Sequence, residues 1–129
     1  MIGYTTIGTN NMEKAAAFYD ELFSIIGAKR SWDWESFKAW AVTPGAPMFA
    51  VTPPYNKEPA TVGNGVMIAL AAPDRETVKK LYDKAIELGG SSEGEPGYRG
   101  PEDMGFFAGY FRDLDGNKLN AFNYSPKKT

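Results

Sequence analysis

The chain has 129 residues, 43% hydrophobic and 14% aromatic, with 14 basic against 16 acidic side chains and a net charge of −2. This is enough apolar material for one domain, or two merged halves, around a sizeable core, and too much for a disordered chain. Scattered charges argue against a nucleic-acid-binding surface, no apolar run is long enough to cross a membrane, and the lack of cysteine and histidine excludes disulfides, thiolate chemistry and the commonest metal ligand and general base.

Ile2 to Gly8 alternates as a strand, with Ile2, Tyr4 and Thr6 on one face and Gly3, Thr5 and Ile7 on the other. This opening has no charged leader, so a cytoplasmic location is the expectation. Asn10-Asn11 caps a predicted helix over about Met12 to Ile26, with Glu13 in its first turn and Gly27 as its stop. Its apolar stripe is Met12, Ala15, Phe18, Tyr19, Leu22, Phe23 and Ile26. Three short strands follow, over about Lys29–Trp34, Ser36–Thr43 and Met48–Thr52, with Pro44-Gly45 turning the chain between the last two.

Asn56 to Asn64 reads as an exposed linker. Val66–Ala71 is then a strand, and Pro73-Asp74 starts a helix reaching about Leu88, with Val78, Leu81, Tyr82, Ala85 and Leu88 as its stripe and Gly89-Gly90 as its stop. Ser91 to Gly105 reads as a Gly-rich loop with one irregular strand. Phe106–Arg112 and Lys118–Tyr124 are strands joined through a tight Asp115-Gly116 turn, and Ser125 to Thr129 is a polar tail.

The two halves repeat one plan. Asp74 stands 63 residues after Asn11 (74 − 11), and the same offset relates Glu76 to Glu13, Leu81-Tyr82-Asp83 to Phe18-Tyr19-Asp20, Met67 to Tyr4 and Gly90 to Gly27. One offset shared by caps, acids, aromatics and glycines indicates an internal duplication of a β-α-β-β-β unit. Module one covers about 1–54, the linker about 55–63 and module two about 64–129. Each helix can cover only one face of its sheet, so the other face must meet the second half or enclose a ligand.

The order, with Ile2-Gly3-Tyr4-Thr5-Thr6-Ile7-Gly8, Ala17-Phe18-Tyr19-Asp20, Gly63-Asn64-Gly65-Val66-Met67-Ile68-Ala69 and above all Phe111-Arg112-Asp113-Leu114-Asp115-Gly116-Asn117-Lys118-Leu119, resembles the vicinal oxygen chelate superfamily of glyoxalases, bleomycin-resistance proteins and extradiol dioxygenases. The resemblance implies an α+β fold of two βαβββ modules forming a curved, cup-shaped mixed sheet with helices on the outer face. It also implies a homodimer and a small-molecule ligand, with no part for nucleic acid or membrane.

Metal-dependent members of that superfamily carry ligands on the cup-facing side of the strands. Carried over, those positions are Tyr4, Met67 and Asn120, with a further acidic position near Phe49 in a strand that has no acid. A protonated phenol, a soft thioether and a neutral amide supply no charge to offset a hard divalent ion. No metal or other cofactor is therefore expected. The competing expectation is a metal shifted onto Asp103, Asp113 or Asp115, although turn chemistry explains the hairpin acids.

A cup lined by Tyr4, Met67 and Asn120 has directed polar groups beside apolar ones, as small-molecule pockets do. Phe49, Trp40 and Tyr110, with Trp32, Trp34 and Phe107, are stacking candidates or core residues. Arg99, in Gly97-Tyr98-Arg99-Gly100-Pro101, is a solvated loop residue or a partner for a ligand carboxylate or phosphate. The leading expectation is a metal-free binding protein of the sequestering, resistance type. The alternatives are a glyoxalase-like lyase or dioxygenase with an unusual metal site, and a non-catalytic subunit or regulatory module with a filled cup. The chain has no phosphate loop, dinucleotide fingerprint or serine nucleophile elbow.

Overall fold

The computed structural model describes residues 1–127. Module one is built from β1 (Tyr4–Gly8), α1 (Met12–Ser24), β2 (Lys29–Trp34), β3 (Phe37–Ala41) and β4 (Met48–Thr52). Module two is built from β5 (Ile68–Ala71), α2 (Arg75–Glu87), β6 (Ser91–Tyr98), β7 (Phe106–Arg112) and β8 (Lys118–Tyr124), with a single 3₁₀ turn at Glu102–Met104. The sheets have equivalent strand orders, β1-β4-β3-β2 and β5-β8-β7-β6. In each, the first strand runs parallel to the last and every other pair is antiparallel. The fold is thus the expected α+β pair of βαβββ modules, with two four-stranded sheets that do not close on each other.

The predicted caps hold. Asn11 accepts from the Lys14 N–H and Asp74 from the Thr77 N–H, each satisfying a donor that has no partner inside its helix. Both ends of α2 lie 63 residues beyond those of α1 (75 − 12 and 87 − 24). The stop differs from expectation. The conformational counterpart of Gly27 (φ 73°) is Gly89 (φ 104°), one residue earlier than the sequence offset indicates. Gly90 is needed for space, since a Cβ there would sit 2.6 Å from the Arg112 carbonyl oxygen.

Each helix buries its stripe on one face of its own sheet. Phe18, Tyr19, Leu22 and Phe23 of α1, and Val78, Leu81, Tyr82 and Ala85 of α2, belong to one core with Ile7, Val51, Leu70, Phe107, Phe111 and Leu119. The helices pack against each other, and Lys84 of α2 reaches Glu21 of α1 at 3.9 Å. Strand lengths follow the sequence reading closely, except that β1, β3 and β5 start later than expected and β3 ends earlier. The tail expected over Ser125–Thr129 lies partly outside the described residues.

The loop from Asp113 to Asn117 joins β7 to β8 and locks the modules together. It is longer than the expected tight turn. Asp113 Oδ1 accepts from the backbone N–H groups of Asp115 and Asn117. Its Oδ2 accepts from the Tyr19 hydroxyl of α1 at 2.7 Å. Asp115 accepts from the Thr9 hydroxyl and the Asn10 N–H, and Asn117 Nδ2 donates to the Gly8 carbonyl. The hairpin acids are therefore spent on turn geometry and on the junction to module one.

Candidate functional site

The register sorts strand residues by face. Phe49 of β4 is paired with Thr5 of β1 and Trp40 of β3, and α1 covers that face. The other face of module one carries Tyr4 and Thr6 of β1, Met48 and Ala50 of β4, Phe37 and Ala39 of β3, and Trp32 and Trp34 of β2. A bulge between Arg30 and Trp32 shifts the β2 register, so both tryptophans fall on this helix-free face. Trp34 is 61% exposed and Tyr4 57%. Their rings are held by neighbours: Trp32 against Trp34 at 4.8 Å, and Tyr4 edge-on to Phe37 at 6.1 Å. Ala39 and Ala50, between these aromatic side chains, are fully buried. An open groove of about 980 Å³ adjoins this face and takes in Tyr4, Trp32, Ala41 and Met48.

Two expected lining residues are elsewhere. Trp40 is 2% exposed and packs with Tyr19 and Phe23, and its indole N–H donates to Asp20 at 2.8 Å. Phe49 lies 4.8 Å from Tyr19 and 5.1 Å from Phe23. Both are core residues under α1, because α1 presents aromatic rings to the odd face of β4. Periodicity alone could not place Trp40, since it shares its face of β3 with the charged Lys38 while Phe37, Ala39 and Ala41 make up the other face.

Module two has the same division. Leu119 and Ala121 of β8 face α2. Lys118, Asn120 and Phe122 face away, beside Tyr110 and Ala108 of β7 and Ala69 of β5. Met67 lies just before β5 and is 38% exposed. Phe106 and Phe122 stack at 5.7 Å. Asn120 is only 2% exposed, and its Oδ1 has no hydrogen-bond partner among the described residues. A buried acceptor without a donor costs about 1–3 kcal/mol, so it requires an explanation.

Arg99 directly follows β6 and is not in a free loop. Its guanidinium lies 5.2 Å from the Tyr110 ring centre and donates to the Gly97 and Glu95 carbonyls at 3.0 and 2.9 Å. Lys118 approaches the same ring at 5.7 Å. Arg112 is bound by Glu93, which lowers the pKa of that carboxyl. Tyr110 and Asn120 thus belong to one sheet, with Met67 just before its strand β5 and Arg99 just after β6, and Tyr4 belongs to the other sheet. Strand alternation in the sequence already sets Lys118, Asn120 and Phe122 on one face, as found, but the approach of Lys118 to Tyr110 depends on the pairing of β7 with β8 and was not read from it.

The residues at the superfamily's metal positions do not fit a divalent ion. Tyr4, Met67 and Asn120 offer a phenol, a thioether and an amide. Among the described residues, no group of three or more Asp or Glu side chains converges to replace them.

The family described as Glyoxalase/Bleomycin resistance protein/Dioxygenase superfamily matches residues 1–121. A glyoxalase/bleomycin resistance protein from Albidiferax ferrireducens T118 is 31% identical, with a TM-score of 0.87 over 97% of this chain and 99% of that one. A hypothetical protein from S. aureus is 25% identical, with a TM-score of 0.72 over 95% and 92% of the two chains. A lactoylglutathione lyase from Agrobacterium tumefaciens, 21% identical with a TM-score of 0.68 over 95% and 92%, shares the fold. None of the curated proteins matches the chain. With its paired βαβββ modules and the match across nearly its whole length, the chain belongs to the glyoxalase/bleomycin resistance protein/dioxygenase superfamily.

Proposed function

We propose that this protein binds a small organic molecule on the helix-free faces of its sheets, without a divalent metal, and acts by sequestering that molecule. The observation that carries the reading is Asn120. A superfamily ligand position holds a neutral amide whose buried oxygen lacks a donor. An orphan acceptor is suited to an N–H or O–H of an organic ligand, and a lone neutral amide is a weak substitute for a carboxylate on a metal.

The pocket is completed by a second copy of the chain. Each helix-free face is half a cup, and Tyr4 and Trp34 leave large apolar areas in water. Burying them between two copies is the simplest way to remove that exposure and wall in a ligand.

Elemental analysis of tag-free protein after exposure to zinc, nickel, iron and manganese tests the metal-free part. The expected result is near-zero metal per chain, together with ligand-induced thermal stabilisation in the presence of chelator. Close to one metal per chain, lost on Asn120→Ala, would put the lyase or dioxygenase reading first. Light scattering that shows only monomer at micromolar concentration would overturn the dimer.

A further inference from the structure

The geometry points to an anion subsite on module two: Arg99 and Lys118 hold the acidic group of a small, flat organic acid whose neighbouring N–H or O–H donates to Asn120 Oδ1. This names the ligand class for the pocket proposed above and rests on that reading.

Three observations converge on it. First, Arg99 and Lys118 flank one ring, that of Tyr110, and neither forms an ion pair among the described residues. Glu93 pairs with Arg112 and also acts on Lys118, so this one carboxylate faces the three cations Arg112, Lys118 and Arg99 and the site keeps a net positive charge. Second, Arg99 is held in place. Its two carbonyl acceptors fix the guanidinium plane, and Gly94 and Gly97 leave the room for it. A Cβ at Gly94 would stand 3.0 Å from Nη2, and one at Gly97 would stand 3.4 Å from Nη1. Two of five N–H donors are used on those carbonyls, and the rest remain for an oxyanion. Third, the cross-strand partner of Tyr110 is Asn120, the buried residue with the orphan acceptor.

The chemistry of the ligand follows from these groups. A cation would meet like charge at Arg99 and Lys118. A neutral apolar molecule would leave Oδ1 unpaired. An anion without a donor would satisfy only the charges. The Tyr110 ring and the stacked Phe106 and Phe122 suit a flat body.

The test uses the metal-free full chain and matched compounds that differ in one group. Anthranilate and salicylate carry the acid and an adjacent donor, their amides remove the charge, benzoate removes the donor, and inorganic phosphate is the bare ion. Affinities are measured by calorimetry at low ionic strength. The acids should bind at least about tenfold more tightly than their amides, and Arg99→Met and Lys118→Met should each weaken them about tenfold. Asn120→Leu should abolish the preference for anthranilate over benzoate. Lys118, on the rim of its strand, keeps the test valid if the Arg99 variant fails to fold. Amides binding as well as acids, acid binding unchanged in both cation variants, or phosphate binding as tightly as the acids would overturn the subsite and leave the pocket reading standing. Binding of none of these compounds, nor of neutral or cationic aromatics, would overturn both.

Discussion

Tyr19 and Asp113 lie 94 positions apart and meet across the module boundary in a buried hydrogen bond of 2.7 Å. The Tyr19 hydroxyl donates, and the carboxylate also accepts from the backbone of the turn it organises. Burial raises the Asp113 pKa, and the bonds from Tyr19 and Asn117 act against that rise. Burial, followed by the facing carboxylate, holds the Tyr19 phenol well above its ordinary pKa, so it remains a donor.

Tyr19→Phe should therefore cost about 1–3 kcal/mol, because it leaves a buried carboxylate short of one donor. The sign with pH is fixed. The lost bond favours ionised Asp113, so the variant raises its folded pKa further. The penalty is largest above that pKa and shrinks as pH falls through it. Urea denaturation of both proteins at neutral and acidic pH measures this, and a penalty independent of pH would refute the assignment.

Asn120→Leu should raise stability by about 1 kcal/mol in the ligand-free protein, since it removes an orphan acceptor from a nearly closed position. Binding should fall in the same variant. Thermal unfolding with and without ligand separates the two effects. A loss of ligand-free stability would show that Asn120 has a structural partner.

Trp40 and Trp34, two of the three tryptophans, should behave oppositely. Trp40→Ala should cost about 3–5 kcal/mol, as it empties the space between Tyr19 and Phe23 and frees Asp20 from its indole donor. Trp34→Ala should change monomer stability by less than about 1 kcal/mol and should weaken self-association. Equilibrium unfolding and light scattering provide the two readouts.

Asn11→Ala should cost about 1 kcal/mol by uncapping α1. Asp74 caps α2 in the same way, and its bonds from the Thr77 side chain and backbone lower its pKa. Its contribution is thus present above the ordinary carboxylate pKa and lost as pH falls through the depressed value. Comparing Asp74→Asn with the parent at pH 7 and near pH 3 should show a difference that narrows at low pH, and a constant difference would contradict the capping account.

The faces of the strands were legible because β-strand alternation has a period of two. It assigned Tyr4, Met67 and Asn120 to one side of their strands, and the pairing of Ala69 with Asn120 and of Leu70 with Ala121 agrees. It did not settle Trp40, which shares its face of β3 with Lys38, or Phe49, whose strand is apolar on both faces, and only the rings of α1 decide which side is core. The sequence reads Arg99 as a loop residue in a Gly-rich stretch with one irregular strand, and Arg99 does lie just past that strand, β6. What the sequence did not reveal is that the two register shifts of β6, with the missing side chains of Gly94 and Gly97, make room for the guanidinium.

What the sequence determined by itself is local. The caps, the helical stripes and the strand alternation each depend on neighbours a few positions apart, and together with the 63-residue repeat of these local patterns they were enough to specify two βαβββ units. What the tertiary structure alone decided is long-range. It made the hairpin acids a clasp on α1 and on the turn that follows β1, joined Arg99 and Lys118 at Tyr110, and buried the Asn120 oxygen without a donor among the described residues. These relations depend on which elements meet, and the burial and charge of a side chain are set by neighbours that no local pattern encodes.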